Sequence, residues 1–448
     1  MPKVSVIIPC LNMVKYISQC LDTIIHQTFT DIEILLIDAG STDGTIEILN
    51  TYAKKDSRFH IFSSDKKSYG YQINIGISNA TGDYISIIDA DDKIALDMYE
   101  TLYQVIETSG ADYVKGTAKG FYTLSNKEYY YFSISPFRPE EYNTEIELVP
   151  KDTPSLLTKD NFLWYGLYRS DFVKQIMLYE SPGAAFQDFG ALFQIQTRAQ
   201  KAVYIDKTVY FYRQDNVNAS TYNKKGFSFV ANEYAYAQKY LVGLSSEWKT
   251  SFYQKLFLHF MDRLYAMVGS GEFWEDTLSD MIEIGQRLHK ANEDGILQKS
   301  DLTDKQWENL QLLWESPYVL YQKYKKIYEP KTENLKKIFQ YVKHKKGIIF
   351  GSGKYGCFLH EQFLYRGWNN IVAYCDNNAS VQGELQHGIE ILSPEQAVAR
   401  YSDVKYIIAN KYYADEMQEQ LKTLGIKDSK IIVYTAGIDK NLFGAIID

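Results

Sequence analysis

No stretch of the 448 residues approaches the roughly 18 consecutive apolar residues of a membrane-spanning helix. Cysteine is scarce. The four present, Cys10, Cys20, Cys357 and Cys375, form no Cys-x-x-Cys pair, and a chain of this size needs no disulfide staples, so a reducing cytoplasm is the expected compartment. Basic excess is missing too. A net charge of −8 argues against broad nucleic-acid binding, which requires a basic face to displace counterions from phosphates. Nor is there an internal repeat or a long low-complexity tract. The N-terminal run Lys3 to Pro9 is short and β-branched, and reads as a strand rather than a secretory leader.

What remains is an ordinary globular composition, 45% hydrophobic and 23% charged, in a chain long enough for two or three domains. The first 115 residues alternate apolar strands with amphipathic helices: Val4 to Ile8, a helix near Tyr16 to Ile25, Glu33 to Ile37, a helix Thr45 to Lys54, Phe59 to Ser63, a helix Gln72 to Asn79 and Tyr84 to Asp89. Such alternation builds a mainly parallel sheet covered by helices. Looser, aromatic-rich strands follow to about Thr221. Helical periodicity then runs from 226 to about 328, and a Lys-rich stretch, Lys323 to Lys346, reads as a solvated helix face with membrane-surface contact as the alternative. The expected division is 1–225, an α/β domain; 226–345, a helical segment and linker; and 346–448, a small α/β domain.

Two strand ends carry the chemistry. Asp38 closes a buried strand and is followed at once by Ala39-Gly40-Ser41-Thr42-Asp43-Gly44, the kind of strand-to-helix turn where α/β sheets bind nucleotides. A carboxylate there can accept from the N3–H of uracil, while Ser41, Thr42 or Asp43 caps the next helix. Asp89-Ala90-Asp91-Asp92 packs three carboxylates into four positions. Mutual repulsion makes that costly without a cation, and Mn²⁺ or Mg²⁺ suits such hard oxygen ligands.

Taken in order, Val4 to Asn12, Asp38 to Thr45, Asn74-Ile-Gly76, Ala80 to Tyr84 and Asp89 to Asp92 resemble the family 2 glycosyltransferases of the GT-A fold. Trp164 to Arg169, Ser181 to Asp188 and Tyr210 to Ser220 resemble later elements of bacterial capsule and O-antigen transferases. The resemblance covers roughly residues 1 to 225. It implies that Asp38 contacts the base, with Pro9, Asn12 and Ser41 lining the nucleotide pocket. It places Asp89 at the ribose, Asp91 at the metal and diphosphate, Asp92 in support, and Asp188 as the general base. The expected activity is inverting, metal-dependent transfer from a nucleotide-sugar, commonly a UDP-sugar, to a glycan or lipid-linked glycan at the inner face of the cell membrane. Two departures stand out. Ile73 occupies the place where many relatives carry Arg, leaving Lys66, Lys67 or Arg213 to neutralise the diphosphate, and Gln187 replaces the Glu that often precedes the base. Trp164, Tyr165, Tyr168 and Phe186 are candidates for an acceptor-sugar floor, although core packing is the commoner fate of aromatics in a chain with 38 tyrosines.

The last unit opens with Gly351-Ser-Gly353-x-x-Gly356 between a strand and a helix, and Asp376 lies 20 residues beyond Gly356 (376 − 356), as in a dinucleotide fingerprint. It reads as a small Rossmann-like domain. Two roles stay open for it: structural or oligomerising, or binding of NAD(P) or a sugar-nucleotide. An oxidoreductase reading lacks a hydride-transfer constellation such as Tyr-x-x-x-Lys.

Overall fold

The structure, a computed structural model, describes residues 2–124, 127–142, 144–181, 186–216 and 223–437. The chain divides into two compact units, Met1–Arg263 with Glu275–Pro317, and Leu264–Trp274 with Tyr318–Asp448. The helical stretch 226–345 is therefore shared between the two.

The first unit begins with the expected alternation: β1 (Val4–Cys10), α1 (Ile17–Ile25), β2 (Ile32–Asp38), α2 (Thr45–Lys55), β3 (Phe59–Ser63), α3 (Tyr69–Asn79) and β4 (Tyr84–Ile87). These strands run parallel in the order β3-β2-β1-β4. There follow β5 (Lys93–Ile94), α4 (Met98–Ser109), β6 (Tyr113–Leu124), β7 (Lys127–Ile134), β8 (Glu145–Leu148), β9 (Gly166–Arg169), α5 (Ser170–Val173), α6 (Gln187–Arg198) and β10 (Ala202–Arg213). They extend the sheet as β4-β9-β6-β10-β5, with β9 antiparallel to both neighbours, β7 beside β6 and β8 beside β10. The result is a mixed sheet whose parallel half presents its carboxyl ends at one edge.

Helices on both faces explain why β1 and β2 read as continuous apolar runs. Successive side chains point to opposite faces. Val4, Val6 and Ile8 pack with Ile17, Leu21 and Ile24 of α1, whereas Ile7, Leu35 and Ile37 pack with Ile73 and Ile77 of α3. Gly76 permits that second contact, since a Cβ there would stand 2.4 Å from an Ile7 methyl. The Gly of the Asn-x-Gly element is thus a packing requirement.

Helices α7 (Gly226–Ala237), α8 (Ser246–Gly269), α9 (Leu278–Glu293), α10 (Asp304–Glu315) and α11 (Pro317–His344) follow. Among the described residues no helix is long and apolar enough to cross a membrane.

The second unit contains β11 (Gly347–Phe350), α12 (Lys354–Tyr365), β12 (Ile371–Cys375), β13 (Leu385–Gln386), β14 (Ile389–Leu392), α13 (Pro394–Arg400), β15 (Lys405–Ile408), α14 (Ala414–Thr423) and β16 (Ile431–Val433). Its sheet order is β13-β14-β12-β11-β15-β16, parallel except for the β13–β14 hairpin. That hairpin has no counterpart in the sequence reading. Its two-residue turn is His387-Gly388, both with positive φ (50° and 77°), a mirror-image turn more often signalled by Asn-Gly or Asp-Gly.

Candidate active site

The loops after β1 and β2 are joined by side chains. Asn12, in the left-handed region at φ 55°, accepts the Thr42 amide at 2.9 Å, and Ser41 Oγ accepts the Asn12 amide at 2.9 Å. Asp43 accepts the amides of Val14 and Thr45 at 3.0 Å each; the N-cap of α2 is Gly44, which makes no side-chain cap, so the first amide of the helix is met by Asp43 from one residue earlier than a cap. Pro9 is buried in β1 opposite Ile37. Asp38 Oδ2 accepts the amides of Gly40 and Ser41, both at 3.0 Å, while its Oδ1 is buried with no hydrogen-bond partner. A buried acceptor left open is costly, and no donor among the described residues offsets that cost here.

The second carboxylate turn is braced from β10. Asp92, 1% exposed, accepts from the Tyr210 hydroxyl and the Arg213 amide, each at 2.6 Å. Asp89 Oδ1 accepts from the Tyr69 hydroxyl at 2.9 Å, and Asp91 Oδ2 from Asn216 Nδ2 at 2.7 Å. Arg213, 4% exposed, donates Nε to the Asp91 carbonyl at 2.6 Å. The rest of its guanidinium is committed to Asp215 at 3.1 Å, to Gln19 and to Thr123, between the rings of Tyr16 and Phe121. Arg213 therefore holds the turn that presents Asp91. Lys66, another of the cations considered for the diphosphate alongside Lys67, pairs with Glu180 at 2.9 Å. Burial, then the charges of Asp91 and Asp188, push the Asp89 carboxyl up to about 7, and burial with Asp91 and Asp89 raises Asp92 well above its usual range.

Asp188 lies in the first turn of α6, after Phe186 at φ 69°. Gln187, 1% exposed, accepts the Gly70 amide at 2.6 Å and donates to the Ser181 carbonyl and hydroxyl at 2.6 and 2.7 Å. The residue before Gly70 is Tyr69, whose hydroxyl holds Asp89. Two adjacent residues of α3 thus bring the Asp188 turn and the Asp89 turn together, and Gln187 serves as a tie. Burial raises the Asp188 carboxyl, opposed by α6 backbone amides and by Lys255 and Lys115.

The aromatic candidates divide. Trp164 is 5% exposed and packs on Tyr210 and Tyr212, and Tyr165 and Tyr168 are fully buried, so these three belong to the core. Phe186 is half-buried against His259 and Arg263. Residues 182–185 and 217–222, which include parts of two of the sequence elements, lie outside the described residues.

The Glycosyl transferase family 2 profile matches residues 5–163. Over 215 residues the chain is 32% identical to glycosyltransferase GlyG of Streptococcus pneumoniae, an alignment covering 47% of this chain and 70% of GlyG. The chain belongs to glycosyltransferase family 2. An uncharacterized glycosyltransferase of Bacillus subtilis, EpsJ, is 29% identical over 49% of this chain and 63% of its own length. GlyA of S. pneumoniae is 28% identical, and the match spans 30% of that protein. Among solved structures, S. aureus TarS 1–349 shares the fold with a TM-score of 0.55 at 18% identity, covering 73% of this chain and 91% of that one. The same TarS fragment has been solved with UDP-GlcNAc and with UDP, each matching with a TM-score of 0.53 at 17% identity and covering 73% of this chain and, respectively, 90% and 91% of that one.

Several residues around the candidate site carry no local sequence signal, because they arrive from distant segments. Lys115 on β6 is fully buried and donates to Asn161 Oδ1 at 2.6 Å. Lys255 on α8 lies close enough to oppose the rise of Asp188. Glu233 on α7 accepts the Gly190 amide at 2.9 Å, and burial pushes its carboxyl from 4.5 up to about 8. Between those values the unfolded chain has released this proton and the folded protein retains it, so folding stability is expected to fall as pH rises. The slope from this one group is about 1.4 kcal/mol per pH unit. Urea unfolding across the window should show that component absent in Glu233→Gln.

In the second unit Asp376 Oδ2 accepts both the amide and the hydroxyl of Ser352 at 2.7 Å, and Oδ1 accepts the Asn378 amide at 2.9 Å. Gly351 has φ 107°, and a Cβ on Gly356 would lie 1.9 Å from the Gly351 carbonyl oxygen, whereas one on Gly353 would meet nothing within 4 Å. Gly351, Gly356 and Asp376 are accounted for by the turn itself. Only Gly353 faces open space.

Proposed function

We propose that this glycosyltransferase is an inverting, metal-dependent enzyme moving a sugar from a UDP-sugar to a hydroxyl of a growing surface glycan. The observation that carries the proposal is the pairing at the start of α3, where Tyr69 holds Asp89 and Gly70 holds Gln187, bringing donor-side and acceptor-side carboxylates to one place.

Asp38 supports a uracil base, because its unpartnered Oδ1 matches an N–H donor while Oδ2 stays on the turn. TarS, which shares the fold, has been solved with UDP-GlcNAc and with UDP, in keeping with a UDP donor. For the metal, the residues fit a particular kind of site. Among the described residues there is no group of three His, Cys, Asp or Glu arranged to hold an ion, and Asp92 has both oxygens engaged. Among the described residues, Asn216 is the side chain that donates to the Asp91 carboxylate, at Oδ2. That suits a hard dication bound through one or two carboxylates and the substrate's phosphates. When bound, such an ion supplies Lewis-acid stabilisation of the leaving diphosphate.

The chain's own residues do the rest. Asp188 accepts the proton of the acceptor hydroxyl as its oxygen forms a bond to the anomeric carbon, and the bond from that carbon to the diphosphate oxygen breaks on the opposite face. Configuration inverts in one displacement. Arg213 and Tyr210 keep the Asp89–Asp92 turn in place, and Gln187 does the same for Asp188.

A panel of UDP-sugars, with GDP-mannose as the control, tests the assignment in Mn²⁺, Mg²⁺ and EDTA. The expected result is release of UDP from one donor, dependent on the ion and absent with EDTA. Turnover of the GDP-sugar alone would overturn the uracil assignment, and full turnover in EDTA would overturn the metal.

A further inference from the structure

A cavity of about 760 Å³ opens in the second unit between the last turns of α11 and the outer strand β16. It is lined by the apolar Ile431, Ile432 and Val433 of β16 and by Lys337, His344, Lys345 and Lys405, with no carboxylate. Nearby lysines that do not line it are neutralised, Lys336 by Glu333 at 3.3 Å and Lys430 by Asp403 at 3.5 Å. Lys337, Lys345 and Lys405 have no such partner among the described residues. Lys337 and Lys345 are exposed and Lys405 is half-buried, so three ammonium groups without a carboxylate partner line one concavity of a chain whose net charge is −8.

The walls are held by specific hydrogen bonds. The Tyr341 hydroxyl accepts the Lys405 amide at 3.1 Å and donates to the Lys346 carbonyl at 2.8 Å, fixing the end of α11 to β15. Asn334 Nδ2 donates to the Val433 carbonyl at 2.8 Å, and its Oδ1 accepts the Thr435 amide at 3.2 Å, fixing α11 to the end of β16. Lys405 Nζ stands 5.0 Å from the centre of the Tyr341 ring, which keeps this ammonium beside the cavity. A lining that combines an apolar strand with several ammonium groups matches a ligand with both an apolar body and a phosphate.

We propose that this cavity binds the phosphate group of an amphiphilic ligand, at a site separate from the carboxylates that serve transfer. Two sources share that chemistry, a phospholipid headgroup at a membrane surface and a soluble phosphate compound. The test uses the full chain in EDTA, which removes metal-dependent phosphate binding at the transferase site. Inorganic pyrophosphate is titrated by calorimetry, and vesicles of phosphatidylcholine, with or without one quarter phosphatidylglycerol, are tested by co-sedimentation. Lys337→Gln/Lys405→Gln is compared with Lys336→Gln/Lys430→Gln, which removes the same charge outside the cavity.

The cavity variant should bind about thirtyfold more weakly, with the control variant close to wild type and the wild-type affinity falling as salt is raised. Loss confined to anionic vesicles assigns the lipid, and loss confined to pyrophosphate assigns the soluble ligand. Equal weakening in both variants, or no binding of either probe by the wild type, overturns the proposal.

Discussion

Asp188→Asn is expected to lower sugar transfer by about 10²–10⁴-fold, the usual contribution of a positioned general base, with little change in the KM for donor. The substitution keeps the size of the side chain and removes only its capacity to take a proton. Stability should not suffer. Burial raises the Asp188 carboxyl, so its ionised form weakens the folded state near neutral pH, and the amide should melt at or above the wild-type temperature. Loss of activity with an intact or raised melting temperature identifies a chemical role, and retained turnover would remove Asp188 from the mechanism. Because Gln187 makes the contacts that position this turn, unfolding and loss of the base are separable at adjacent residues.

The second large effect is expected from Asp91→Ala. Transfer should fall about a thousandfold, in line with several kcal/mol of Lewis-acid stabilisation, and the Mn²⁺-induced rise in melting temperature measured with UDP should disappear. The metal-free variant should be no less stable than wild-type protein, because the Asp91 charge raises the carboxyls of both Asp89 and Asp92. Removing one of three crowded carboxylates relieves that repulsion, which separates a ligand from a structural residue. If the variant keeps its Mn²⁺ response, the ion is held elsewhere.

The strand ends that present Asp38, Asp89, Asp91 and Asp92 were readable because each closes a run of apolar residues, and a strand buried on both faces leaves that mark locally. The same holds for the helices between them, whose apolar stripes repeat within one element. Roles that depend on pairing across distance were not readable. Arg213, weighed as a diphosphate ligand, is covered by Tyr16 and Phe121 and committed to Asp91 and Asp215. Gln187, read as a lost acidic neighbour, is a tie between α3 and α6. Trp164 belongs to the core because Tyr210 and Tyr212 of β10 pack on it, which nothing in its immediate sequence states.

The second unit teaches the same lesson. Its glycine spacing correctly marked a strand, a tight turn and a helix, yet the Asp376 that completes the fingerprint satisfies the turn itself. Its β13–β14 hairpin was invisible because His387-Gly388 is an uncommon pair for a two-residue turn. Local order in the chain, the period of its apolar residues and the charge at its strand ends, determined the α/β sheet, the family and the place of the carboxylates at the sheet edge. Tertiary structure alone decided which side chains are spent on holding those carboxylates and where unpaired lysines gather around a cavity, since burial and partner choice depend on segments more than a hundred residues apart, as with Asp91 and Arg213.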